Sequence, residues 1–93
     1  MLSEFPIDLK KVKKQDIDKE ILRIGMIAEL DAVSLYEQLA GVTGNKAIKN
    51  VLLDIAKEEK THVGEFQDLL LKLDKEQLKE LANGKKEVRK LIG

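Results

Sequence analysis

Residues 46–73 read KAIKNVLLDIAKEEKTHVGEFQDLLLKL, and their hydrophobic pattern indicates the fold class. Alternating steps of four and three residues select one face of a helix. This face, called the seam below, carries six apolar residues and two consecutive polar ones: Ile48, Leu52, Ile55, Glu59, His62, Phe66, Leu69 and Leu73. The pattern predicts a long helix that directs a Glu-x-x-His pair, Glu59 and His62, at the interior of a helical bundle.

Another long helix is expected before this one, over about 17–40. That stretch lacks proline and is rich in good helix formers. Asp16 is expected to cap its start, and Gly41 and Gly44 end the pattern. Asn45 is expected to cap the helix that follows. The short linker predicts that the two helices fold back into an antiparallel hairpin.

Shorter segments flank the hairpin. Residues 1–15 carry apolar side chains around a proline and a run of lysines, which fits an extended arm or a disordered one. Asp74 and Gln77 resemble a capping box for a short third helix that ends near Gly84. Residues 85–92 are expected to add at most two further turns.

Composition limits the possible chemistry. The chain has no cysteine, which excludes disulfides, iron–sulfur clusters and cysteine nucleophiles and leaves carboxylates and the single histidine as metal ligands. Basic and acidic residues balance at 17 each, so no net positive field favours nucleic acid. No apolar stretch is long enough to span a membrane. These features predict a cytoplasmic protein whose partners are proteins or ions.

The helical domain, expected over 16–93, is too small to bury its own apolar surface. Its first helix is apolar around much of its circumference: Ile21, Leu22, Ile24, Met26, Ile27, Leu30, Val33, Leu35 and Leu39. A helix of this kind is normally surrounded by others. We therefore expect an all-α fold in which two hairpins dimerise into a ferritin-like four-helix bundle.

The first helix contributes one more polar residue to the bundle interior. The same stepping there selects Leu22, Gly25, Glu29, Ala32, Tyr36 and Leu39. Gly25 and Ala32 flank Glu29, and their small side chains are expected to leave room for an ion. A carboxylate in an apolar interior requires a compensating cation, so the sequence predicts a metal held by Glu29, Glu59 and His62.

These three residues are half of a known ligand set. Carboxylate-bridged di-iron sites in ferritin-like bundles take one Glu from each of two helices and one Glu-x-x-His from each of the other two. A two-fold axis through the site would supply four carboxylates and two imidazoles for two irons. By analogy, Glu29 and His62 are expected to be terminal ligands, and Glu59 is expected to bridge the two irons.

Three stretches carry a resemblance to a known family: IAELDA at 27–32, LYEQ at 35–38 and DIAKEEKTHVGEF at 54–66. They are similar to the encapsulated ferritins, and the likeness extends from about residue 22 to the C-terminus. The resemblance implies a ferroxidase centre shared by two subunits, dimers joined in a ring that is typically a decamer, and iron storage or detoxification inside an encapsulin shell in the cytoplasm.

The resemblance also implies roles for individual residues. It implies ferroxidase ligands at Glu29, Glu59 and His62, and it places Tyr36 beside the metal. Some members have further acidic residues next to the first ligand as an iron entry site. Here Ala28 occupies one such position, so an entry role falls on Asp31 alone.

Other interpretations stay open at this stage. A rubrerythrin-like di-iron peroxidase would use the same ligands, although no cysteine is present to hold an electron-transfer iron. A metal-free helical oligomerisation module would use Glu59 and His62 as a hydrogen-bonded pair. Packing explains Tyr36 as well as a role beside the metal does. Solvation of the surface equally explains four acidic residues off the seam: Asp31, Glu37, Glu58 and Glu65.

Overall fold

The computed structural model describes residues 8–93, and most of this part of the chain is helical. Two single turns of 3-10 helix, Leu9–Lys11 and Lys14–Asp16, lead into three α-helices. These are α1 (Ile17–Val42), α2 (Lys46–Leu73) and α3 (Lys75–Ile92). The all-α prediction is confirmed, and no strand occurs within the described residues.

The two long helices form the expected antiparallel hairpin. Asn45 caps α2 as predicted, since its side-chain oxygen accepts a hydrogen bond from the Ile48 amide at 3.0 Å. The prediction that Asp16 caps α1 is wrong. Asp16 makes no capping hydrogen bond, because it lies at the end of a 3-10 turn with its own backbone already close to helical. That turn feeds directly into α1 and replaces the cap.

A single residue, Asp74, joins α2 to α3. Its amide donates to the Leu70 carbonyl at 2.8 Å, and its side-chain Oδ1 accepts from the Gln77 amide at 2.9 Å. The predicted cap is therefore present, but the predicted end near Gly84 is wrong. α3 continues for 18 residues through Gly84, because helix formers on both sides offset the roughly 1 kcal/mol that glycine costs in a helix.

The pKa of Asp74 lies below its ordinary value of 3.8. The hydrogen bond from the Gln77 amide is the largest cause, and the Arg23 guanidinium and the charge of Lys19 act in the same direction against the effect of burial. A carboxyl group whose pKa is lowered by folding stabilises the fold when it is ionised. Its contribution is complete above the unfolded pKa and is lost as the pH falls through the folded pKa.

We therefore expect Asp74→Asn to lower the thermal midpoint at neutral pH. Asparagine retains a capping oxygen but has no charge for Arg23. The difference from the parent should shrink as the pH falls below about 4 and disappear once Asp74 is protonated. Thermal unfolding of both chains over a pH series measures this. A difference that does not change with pH would contradict the assigned ionisation.

Little of the chain is buried. Four apolar residues form the core of the described chain: Val33, Ala40, Ala56 and Leu70. The radius of gyration is 16.5 Å, whereas a compact domain of this length would have about 12 Å. The seam itself is only half covered, since Leu69 and Leu73 remain 51% and 50% exposed. The hairpin thus leaves the predicted interior of the bundle open on one side.

The start of the chain is described only in part. Residues 8–15 lie in the two 3-10 turns and their flanks, and Leu9 is exposed. Of the apolar side chains expected on the arm, Leu2, Phe5 and Ile7 lie outside the described residues. The division into an arm at 1–15 and a domain at 16–93 stays a prediction. Within the described residues, no helix is long and apolar enough to cross a membrane.

Candidate metal centre

The three predicted ligands meet between α1 and α2. The His62 Nδ1 atom lies 3.4 Å from Glu29 Oε2 and 3.5 Å from Glu59 Oε2. One ligand atom from each residue falls within 4.8 Å of the others, and no other such group of histidines and acids occurs in the part of the chain that the structure describes. Antiparallel helices explain the convergence, because they bring Glu29 opposite the Glu-x-x-His turn of α2.

The chemistry of the three groups fits a metal ion. Glu29 Oε2 is buried and finds no hydrogen-bond partner in residues 8–93, since its 3.4 Å contact with His62 does not form a hydrogen bond. Leaving a buried carboxylate oxygen unsatisfied costs about 1–3 kcal/mol, and a cation removes that cost. Two carboxylates and one imidazole are ligands that suit divalent iron.

The prediction that Gly25 is small in order to leave room for an ion is wrong. A Cβ atom at Gly25 would lie 2.9 Å from Cε1 of Phe66, so the absence of a side chain makes room for an aromatic ring and not for an ion. Phe66 follows His62 by four residues on the seam of α2. The close approach of Phe66 to α1 therefore packs the helices together one turn away from the ligands.

Two glycine substitutions should have opposite effects on stability. Gly25→Ala should lower the free energy of unfolding by about 1 kcal/mol, because overpacking against Phe66 outweighs the gain in helix propensity. Gly64→Ala should raise it by about 1 kcal/mol, since nothing lies within 4 Å of the added methyl group. Urea unfolding of the two metal-free variants measures both effects. Equal stabilisation by both would contradict the packing of Phe66 on Gly25.

The sequence profile of the rubrerythrin family matches residues 20–91, a stretch that contains all three candidate ligands. The chain belongs to the rubrerythrin family. A ferritin-like–encapsulin shell fusion protein of Pyrococcus furiosus is 55% identical over 74 residues. An encapsulin nanocompartment cargo protein of Myxococcus xanthus is 38% identical over 56 residues. The crystal structure of the encapsulated ferritin domain from Pyrococcus furiosus matches with a TM-score of 0.85 at 48% identity.

These matches differ in how much of each relative they cover. The alignment with the fusion protein includes 80% of this chain and 21% of the relative, and that with the cargo protein includes 60% and 43%. The chain therefore spans less than half the length of either curated relative. The crystal structure is matched over 100% of this chain and 97% of its own. The resemblance to encapsulated ferritins and the predicted all-α fold of this rubrerythrin-family chain are confirmed.

The acidic residues near the site of this rubrerythrin-family chain have different surroundings. Glu58 and Glu65 are exposed, as surface solvation predicted. Glu37 is largely exposed but forms an ion pair with Lys60 across the hairpin at 2.9 Å. The sequence analysis did not predict this contact, although the two residues have opposite charges. The solvation interpretation is wrong for Asp31, which is only 6% exposed. The entry role of Asp31 stays a prediction, and its burial gives that role no support.

Tyr36 lies on the seam of α1, two helical turns from Glu29. Its side chain is half-buried. None of the hydrogen bonds among the described residues joins Tyr36 to a candidate ligand, so packing accounts for its position at least as well as a role at the metal does. A place for Tyr36 beside the metal stays a prediction.

One side of the site is open. The side chain of His62 is 44% exposed, whereas those of Glu29 and Glu59 are 20% and 19% exposed. Along the same face, a groove of about 390 Å³ lies between the start of α1 and the end of α2, and Ile21, Leu22, Leu69 and Leu73 line it. The ligands therefore lie at the edge of an apolar surface that the chain itself does not cover.

Proposed function

We propose that this protein is a ferroxidase that oxidises Fe(II) to Fe(III) at a di-iron centre formed between two subunits. The observation that carries the proposal is the convergence of Glu29, Glu59 and His62 around an unsatisfied buried carboxylate oxygen. Membership in the rubrerythrin family and the likeness to an encapsulated ferritin domain support the choice of iron.

Each ligand has a definite task in this proposal. The carboxylates of Glu29 and Glu59 neutralise the charge of Fe(II) and favour Fe(III) still more, because the attraction grows with the charge of the ion. The His62 imidazole adds a neutral nitrogen ligand. Each of two Fe(II) ions gives up one electron, and dioxygen with two protons accepts the pair to become hydrogen peroxide. The protein contributes the binding geometry and the electrostatics.

The half-complete ligand set supports a site between two chains. One chain offers two carboxylates and one imidazole, which is too few for two irons. The exposed face of His62 and the uncovered seam lie together, so a second copy placed there would bury apolar surface and bring a second set of ligands to the first. We propose Glu29 and His62 as terminal ligands and Glu59 as the bridge.

Stopped-flow mixing with anaerobically loaded Fe(II) tests the reaction. We expect one iron per chain and rapid oxidation by dioxygen, lost when Zn²⁺ fills the site first. Iron oxidation no faster than in buffer, or a purified protein that binds no divalent metal, would refute the ferroxidase and favour the metal-free helical module. Rapid reaction with hydrogen peroxide together with slow reaction with dioxygen would favour the rubrerythrin-like peroxidase, which family membership keeps as the second candidate.

We further propose that the protein acts in the cytoplasm inside an encapsulin nanocompartment, as dimers joined in a decameric ring like that of the encapsulated ferritins it resembles. The names of the two curated relatives, a shell fusion protein and a nanocompartment cargo protein, support the partnership with a shell. The exposed apolar residues of α3, Leu78, Leu81 and Val88, provide surface for contacts beyond the two-chain unit.

The isolated protein should oxidise iron without storing it. Storage requires an enclosed volume. Helical hairpins that bury their apolar faces in forming bundles have no apolar surface left for closing into a hollow sphere. Aerobic loading with a large excess of Fe(II) should therefore give insoluble iron, which centrifugation separates and electron microscopy images. Soluble mineral cores inside closed particles of this chain alone would overturn the dependence on a shell.

A further inference from the structure

The junction between α2 and α3 is a point where three helices are tied together. Asp74 ends α2 through its amide, begins α3 through Oδ1, and accepts a hydrogen bond from Arg23 of α1 through Oδ2 at 2.9 Å. Its side chain is only 12% exposed. One carboxylate therefore sets the end of one helix, the start of the next and the link of both to the hairpin.

Arg23 is held in place from its other side. Its Nη1 atom donates to Glu20 Oε1 at 2.9 Å while Nη2 donates to Asp74. Glu20 lies one turn before Arg23 on α1, so the contact orients the planar guanidinium toward the junction. Lysine, with a single charged nitrogen, has no equivalent fork geometry for holding both carboxylates at these positions.

The rest of α3 is weakly attached. No residue of α3 is buried. Between α3 and the hairpin lies an open apolar cleft of about 360 Å³, which Gln77 and Leu81 line from the α3 side. Close packing normally fixes one helix against another, and it is missing along most of α3. The direction of α3 therefore depends mainly on the contacts at its first turn.

We propose that Asp74 and Arg23 form a latch that fixes the direction of α3, and that opening this latch frees α3 as a unit while the hairpin stays folded. A hydrogen bond between two charged groups is stronger than one between neutral groups, and α3, with no buried residue, has few other contacts to hold it. The latch sets the direction in which α3 presents its exposed apolar residues, whatever surface they meet.

Hydrogen exchange measured by mass spectrometry on the metal-free full chain tests the latch without reference to iron. Asp74→Asn keeps the capping oxygen and removes the negative charge of the latch. Arg23→Gln removes the positive charge of the latch and leaves Asp74 intact. Lys72→Gln is the matched control, because it breaks the exposed pair of Lys72 with Asp68 at 2.8 Å close to the same junction.

We expect amides in 79–92 to exchange about tenfold faster in both latch variants, and amides in 52–66 to stay within about twofold of the parent. The control should match the parent throughout. Unchanged exchange of α3 in both variants would overturn the latch, and so would faster exchange of α2 together with α3. Iron oxidation should persist in both variants, because neither Asp74 nor Arg23 is among the proposed ligands. The exchange rates of α3 therefore test the latch whether or not the ferroxidase proposal holds.

Discussion

Replacement of His62 by alanine should lower the rate of Fe(II) oxidation by about 100-fold or more. The two-fold arrangement repeats the substitution in both chains, so each iron loses its only nitrogen ligand. Changes to residues that merely orient metal ligands already cost about 10- to 100-fold, and loss of a ligand should cost at least as much. Stopped-flow absorbance at saturating dioxygen measures the rate, and isothermal titration measures the accompanying loss of Fe(II) affinity.

Two further variants make this result specific. Glu58→Ala is the matched control, since Glu58 is exposed beside Glu59 and off the seam, and it should oxidise iron at the parent rate. Glu29→Ala should abolish oxidation and leave the metal-free fold as stable as the parent or more so, because it removes a buried oxygen without a hydrogen-bond partner. A Glu29→Ala chain that unfolds would favour a structural role for the three residues.

Replacement of Leu69 by lysine should separate the two chains and abolish iron oxidation at low protein concentration. Leu69 lies on the seam and is 51% exposed, so a single chain tolerates the change. In the proposed two-chain bundle, each chain would bury one lysine ammonium group at this position, at a total cost of about 3 kcal/mol or more. That energy corresponds to roughly a 100-fold weaker association.

Analytical ultracentrifugation with parallel oxidation assays measures both effects. Leu53→Lys is the matched control, since Leu53 is on the same helix, is 43% exposed and lies off the seam. It should keep the two-chain unit and its activity. A dissociated Leu69→Lys chain that still oxidises iron at the parent rate would show that one chain carries the complete site.

The sequence predicted the parts of this fold that depend on local signals. Residues 46–73 form a helix with the expected bounds because Asn45 caps its start and the seam pattern continues to Leu73. The three candidate ligands also converge as expected, since seam positions on two antiparallel helices must face each other. Local signals were not sufficient at Asp16 and Gly84, where neighbouring residues continue the helical structure through a position that was expected to cap or end it.

Other features depend on contacts that no single stretch encodes. Gly25 is small because Phe66 approaches it from the other helix, 41 residues later in the chain. The burial of Asp31 likewise follows from the folded chain and not from its position on the helix. The Arg23 contact that ties α1 to Asp74 joins residues 51 positions apart. Spacing within one helix carries no information on any of these contacts.

Anomalous diffraction at the iron edge from crystals soaked anaerobically with Fe(II) tests whether the di-iron site is shared by two chains. We expect two iron peaks related by a two-fold axis between two chains, with Glu29, Glu59 and His62 of both chains as their ligands. Each iron would then have ligands from more than one subunit. A single iron held wholly within one chain, or peaks remote from these three residues, would contradict the shared site.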